Sequence, residues 1–188
     1  ALSFNEGGAA AVIDSDLSLT DVDDTKIEGA TIKLTGFVEN EDVLAFTNTA
    51  EITGSWDAVT GILTLSGSAT KAQYESALET VTFQNINTDD PNNGDRKVLW
   101  SVNDGDVDSI SATTTISVID INDVPMVTGA GGTLPFVDDG TAAVIDSSLS
   151  LSDEDNTNIA GATIAISDGY IQNEDVLAFT NANGITGV

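Results

Sequence analysis

Apolar and polar residues alternate along most of this chain with a period of two, which places every second side chain on one face of a strand. Short, β-branched runs carry the pattern: Ala10–Ile13, Leu17–Thr20, Ala30–Leu34, Val43–Phe46, Ile62–Leu65, Val81–Phe83, Val98–Val102 and Thr113–Val118. Clusters of Asp, Asn and Gly separate them, the residues that turns favour. Asp57-Ala58-Val59-Thr60-Gly61 predicts a hairpin loop between Ile52 and Ile62. So many short strands within ~120 residues predict an all-β fold, a Greek-key antiparallel β-sandwich.

One segment departs from the strand period. In Thr70–Glu79, Thr70 and Gln73 stand at capping-box spacing, and Tyr74 and Leu78 share a helical face. The spacing predicts a short helix crossing an end of the sandwich, packed through Tyr74 and Leu78. Trp100 alternates with its neighbours as a core residue does, whereas Trp56 sits at a loop edge where it could be exposed. Pro125 has no N–H to give a sheet, so the last strand of the module stops before it.

The pattern then begins again. Residues 2–54 recur at 134–187, with Ala11-Val12-Ile13-Asp14 matched by Ala143-Val144-Ile145-Asp146. Glu41-Asp42-Val43-Leu44-Ala45-Phe46 returns as Glu174-Asp175-Val176-Leu177-Ala178-Phe179. The offset is 132 residues, or 133 after one insertion before Asn173. A period that long is a domain and not a solenoid rung. The expected organisation is a sandwich module over 1–124 and the N-terminal part of a second copy over 125–188. The chain reads as an excerpt of a longer tandem array.

Charge changes the picture next. With 31 acidic and 5 basic residues the formal net charge is −26, which repels nucleic acid and anionic lipid alike. No run is long and apolar enough to insert in a membrane. The absence of Cys and His excludes disulfides, thiolate zinc sites and the commonest general base. The acids fall in short clusters between strands, so they read either as a halophile-style solvated surface or as oxygen ligands for a hard cation. Catalysis by a carboxylate pair such as Asp21 and Asp23 needs a cleft and a raised pKa, and the sequence points to neither. The chain is not expected to be an enzyme.

Four acidic groups stand out, and their order along the chain matters more than any one of them. They are Glu6 in Asn5-Glu6-Gly7-Gly8; Asp21-Val22-Asp23-Asp24, repeated as Asp153-Glu154-Asp155-Asn156; Asp104-Gly105-Asp106, preceded by Asp89-Asp90; and Asp120-Ile121-Asn122-Asp123-Val124-Pro125. Together they resemble the calcium-binding pattern of cadherin repeats. Leu65-Ser66-Gly67-Ser68-Ala69-Thr70 with Tyr74 and Ala77-Leu78 is similar to the cadherin-like repeats of very large, RTX-type bacterial adhesins. The family's acidic-Arg-Glu triplet has no clean match, and Asp89-Asp90 is the nearest acidic pair.

The resemblance implies calcium as cofactor, held between successive repeats by Glu6, Asp89, Asp90, Asp120, Asn122, Asp123, Asp153 and Asp155, with Asp21, Asp23 and Asp104 as the remaining ligands. It implies a secreted, cell-surface protein in which the module is a calcium-rigidified extender, partnered by neighbouring repeats of its own chain. The alternative is a module that itself grips polysaccharide or a protein. The second copy has no counterpart of 56–122 within this chain. Its apolar faces are therefore expected to be completed by strand exchange or docking in a homodimer, while the first copy keeps its own residues 1–55.

Overall fold

The computed structural model of the chain describes residues 1–137 and 140–188. They form two compact units, Ala1–Thr157 and Asn158–Val188. The first unit holds the sandwich. Its strands are β1 (Leu2–Asn5), β2 (Ala11–Val12), β3 (Lys26–Thr35), β4 (Asp42–Ala45), β5 (Thr53–Asp57), β6 (Ile62–Thr70), β7 (Thr82–Asn85), β8 (Gly94–Asn103) and β9 (Ala112–Ile119). One sheet has the order β1-β9-β8-β3-β6-β5, and the other β2-β7-β4. All the pairings within these two sheets are antiparallel except β1 with β9, which run parallel from Leu2 beside Ile116 to Asn5 beside Ile119. The all-β sandwich expected from the period-two pattern is the fold observed.

The core lies between the sheets because the alternation aims one side of each strand inward. Ile32, Leu63, Leu65, Val98 and Ile116 face it from the large sheet, and Leu44 and Phe83 from the small one. Phe4 meets Phe83 across the gap edge to face, with ring centres 5.2 Å apart. Trp100 is buried as its pattern predicts, and its indole N–H donates to Thr114 Oγ1 at 3.1 Å. Trp56 is half-buried on β5, edge-on to Phe37 at 5.8 Å.

The helix α1 (Lys71–Leu78) carries the chain from β6 in one sheet to β7 in the other. Its capping box is formed: Thr70 Oγ1 accepts from the Gln73 N–H, and Gln73 Oε1 accepts from the Thr70 N–H at 2.9 Å. Tyr74 and Leu78 are buried, and Tyr74 Oη donates to the Gly67 carbonyl at 2.7 Å.

One predicted strand is missing in the first copy. Leu17–Thr20 forms no ladder there, and the Leu19 N–H donates instead to Glu75 Oε2 at 2.9 Å. The matching residues of the second copy do pair, as β10 (Met126–Thr128) with β11 (Ser150–Ser152). Leu17–Thr20 thus has the pattern of a strand and pairs with no strand among the described residues. The expected repeat boundary at 124/125 falls inside the first compact unit, just before this hairpin.

The chain's single arginine supplies a tie that the sequence pattern did not suggest. Arg96 on β8 is buried and donates through Nε to Asp42 Oδ2 at 2.9 Å and through Nη2 to Asp42 Oδ1 at 3.3 Å. Its Nη1 satisfies the carbonyls of Asn92 and Gly94 at 2.6 and 2.8 Å. Asn85 and the Val38 N–H also donate to Asp42, each at 2.9 Å. A fork of donors around one carboxylate thus bolts β4 of the small sheet to β8 of the large one.

In the second unit the local turns of the first copy are present and the sheets are not. Ile171 N–H donates to Asp175 Oδ2 at 2.7 Å, as Val38 N–H does to Asp42. Asn173 adopts φ 72°, as its counterpart Asn40 adopts 67°. Among the described residues the only bridge is Ala182 with Ile185. Ile164, whose counterpart Ile32 is fully buried, is 69% exposed, and Phe179 is 56% exposed.

Candidate metal centre

The acidic residues gather at both ends of the sandwich, and the strand register shows which end each belongs to. β8 and β9 are antiparallel, with Gly94 beside Val118 and Trp100 beside Ala112. Asp89 and Asp90, just before β8, therefore lie at the end where β9 runs into the linker. Asp104 lies at the other end, a ten-residue strand away. The third sequence constellation is divided by β8.

At the linker end, β1 delivers Glu6 alongside the last residues of β9. The Glu6 N–H donates to the Ile119 carbonyl at 2.9 Å, and the Ile121 N–H donates to Glu6 Oε2 at 2.9 Å. Parallel pairing of β1 with β9 is what brings together residues 115 apart in sequence. From the second copy, Asp155 Oδ2 accepts the Asp123 N–H, and Asn156 Nδ2 donates to Asn122 Oδ1 at 3.2 Å. Asp153 Oδ1 accepts the Asn156 N–H at 2.6 Å and so closes the loop around itself.

Each of three carboxylates here keeps one oxygen with no donor. Glu6 Oε1, Asp120 Oδ1 and Asp155 Oδ1 are buried and unpartnered. Asp123 sits among them and its carboxyl is pushed above the usual range, by burial first and then by the charges of Asp155, Asp89, Asp120 and Asp153. The ion pairs found among the described residues all belong to Arg96, so none offsets this charge. Buried acceptors without donors are costly unless a water or a cation completes them.

At the opposite end, Asp21, Asp23 and Asp24 place carboxylate oxygens within 4.8 Å of one another. The Asp24 carboxyl is pushed up by burial first, then by Asp104, Asp21, Asp23 and Asp106. Asp104 itself is held below the usual range by the N–H groups of Val107 and Asp106, each at 2.8 Å from Oδ1. Behind the loop, Lys71 Nζ donates to the carbonyls of Asp21 and Asp24 at 2.6 and 2.7 Å.

Of the residues singled out from sequence, Glu6, Asp89, Asp120, Asn122, Asp123, Asp153 and Asp155 surround the linker. Asp21, Asp23 and Asp104 meet at the far end. Asp90 stands apart, beside a shallow hollow lined by Glu41, Pro91, Asn92 and Asn93, with its carbonyl accepting from Asn87 Nδ2 at 2.7 Å. Sequence reasoning included Asp24, Asp106 and Asn156 in its acidic groups but did not propose them as ligands. It passed over Lys71, whose role depends on the helix folding back under the loop.

The donor set fits a hard divalent cation. Every candidate ligand is an oxygen, from carboxylate, Asn amide or backbone, as calcium prefers, and no sulfur or imidazole is present to suit zinc. Comparison with known proteins adds one partial likeness. A stretch of 78 residues, 38% of this chain, is 40% identical to Halomucin of Haloquadratum walsbyi. The chain spans about 1% of that protein's length. No family model and no solved structure matches the chain.

Proposed function

We propose that this chain is a structural extender module of a secreted, cell-surface protein of the adhesin type, stiffened by calcium at the linker between its repeats. The observation that carries the reading is the trio of buried, donorless oxygens on Glu6, Asp120 and Asp155, contributed by the turn after β1, the linker and the second copy. Calcium there would be held by these three with Asp123, Asn122, Asp153 and Asp89. The chemistry it supplies is neutralisation of a site that otherwise repels itself, so the linker loses a reason to open. The module acts as a spacer and not as a catalyst. The partial likeness to Halomucin, of which this chain spans about 1%, fits a place in a very long chain.

The test is thermal unfolding in EDTA, in millimolar calcium, and in sodium chloride matched for ionic strength. An ion that binds only the folded protein stabilises by RT ln(1+[L]/Kd), about 2.7 kcal/mol at a hundredfold excess over Kd. Calcium should raise the midpoint well beyond the sodium control, and Asp155→Ala should remove most of that difference. Identical curves in calcium and EDTA would sink the proposal. So would a sodium control that reproduces the whole shift, because screening of the −26 charge alone would then explain it.

A further inference from the structure

We infer that residues 1–55 and 134–188 are interchangeable halves of one sandwich. On this reading the chain folds in two forms, one with 56–125 packed on 1–55 and one, circularly permuted, with 56–125 packed on 134–188. Of the eight buried apolar residues that 1–55 contributes to the core, seven are repeated identically, among them Phe4 as Phe136, Ile32 as Ile164 and Leu44 as Leu177. The eighth, Leu34, becomes Ile166, a change of shape at constant volume. Asp42, the buried partner of Arg96, is repeated as Asp175, and the turn that presents it is already formed there. Besides Leu34, the side chains that differ along β3 are exposed or half-buried in the first copy: Lys26, Glu28, Lys33 and Thr35 become Asn158, Ala160, Ala165 and Ser167.

The connections allow the exchange. β1 and β5 are the two edge strands of the large sheet, so the chain enters and leaves the exchanged half at open edges. For the permuted form, Leu134 must reach the place of Leu2 beside Ile116, three residues back along β9 from Ile119. That is ~10 Å at ~3.3 Å per residue. The fourteen residues 120–133 can span up to ~46 Å. Pro135 replaces Ser3 there. The Glu6 N–H points at β9, so by alternation the Ser3 N–H points away from it, and a proline costs no ladder bond. The contacts of the linker with Asp155 and Asn156 exist only in the unpermuted form. The inference is therefore tested in EDTA, where its outcome is independent of the calcium reading.

Both tryptophans, Trp56 and Trp100, lie in the shared portion and report its folding whichever half it uses. In urea titrations of the full chain, Ile32→Asp and Ile164→Asp should each keep a cooperative fluorescence transition of full amplitude, and the double variant should lose it. If Ile32→Asp alone abolishes the transition, as the double variant does, the inference is overturned. A second measurement uses the absence of native cysteine. Thr31 is the register neighbour of Ser101, and Thr163 is its counterpart. After refolding and oxidation, Thr31→Cys/Ser101→Cys and Thr163→Cys/Ser101→Cys should both give an intrachain disulfide. Closure of the 31–101 pair alone overturns the inference, and so does a 163–101 bond found only between two chains, which would assign the exchange to a dimer.

Discussion

Replacing Arg96 by Met should destabilise the sandwich by about 3–5 kcal/mol, the cost of stripping one partner from a buried ion pair. Arg96 is 1% exposed and Asp42 is 2% exposed, so water does not take over the lost bonds. The Asp42 carboxylate would keep the Val38 N–H and Asn85 Nδ2, both at 2.9 Å, and lose the two guanidinium bonds. The carbonyls of Asn92 and Gly94 would lose a donor as well. Met retains much of the aliphatic packing, so the loss is one of charge and hydrogen bonding more than of volume. Against a typical domain stability of about 5–15 kcal/mol this is a large fraction, and the variant should sit close to unfolding at physiological temperature. Asp42→Leu should cost a comparable amount. The double variant Asp42→Leu/Arg96→Met should lose clearly less than the sum, because no charge is then left buried alone. Urea denaturation followed by Trp100 fluorescence reads all four corners of the cycle. A single Arg96→Met variant within about 1 kcal/mol of the parent would refute the reasoning, because a buried unpaired carboxylate cannot be that cheap.

Gly67→Ala tests a backbone constraint: Gly67 has φ 134°, and a Cβ there would lie 1.9 Å from the Glu51 carbonyl oxygen. It should cost at least about 2 kcal/mol in the same urea assay, and a neutral result would mean that β6 can shift away from the segment at Glu51. Asp57 tests the pH response, since its carboxyl is held below the usual value by the Val59 N–H and the Thr60 side chain. The sign follows: a carboxyl whose folded pKa is depressed contributes stability above its unfolded value near 3.8, and that contribution fades as pH falls through the folded value. Asp57→Asn should therefore be less stable than the parent at neutral pH and converge with it in strong acid; parallel pH–stability curves would remove the hairpin turn from the acid transition.

Which acids gather at the linker was more legible from sequence than the geometry that gathers them. Glu6, Asp120, Asp123 and Asp155 could be named because short acidic clusters follow one another in an order that resembles a known pattern, and order survives without a fold. What they could not reveal is that Glu6 reaches the linker through the parallel β1–β9 pair, or that Asp104 and Asp89 are held a strand's length apart by β8. Arg96 was invisible for the same reason: nothing near it in sequence marks the carboxylate it will meet 54 residues away.

The repeated half separates the two kinds of information. Wherever an instruction is local, both copies obey it. The Asn40 and Asn173 turns share their φ, and the Gly54 and Gly187 N–H groups donate to Asn48 and Asn181 at 2.8 and 2.9 Å. Wherever the partner is distant, the copies diverge. Leu17–Thr20 carries a strand pattern and forms no strand, while Ser150–Ser152 pairs because Met126–Thr128 lies beside it. Ile32 is buried and Ile164 is exposed, although the residues around them are nearly the same. Turns, caps and the two-residue period arise from steric limits and hydrogen bonds within a few residues, so the sequence alone determined them. Sheets, the core and the gathering of buried, donorless oxygens need surfaces from other segments, and only the tertiary structure decides whether those surfaces are supplied.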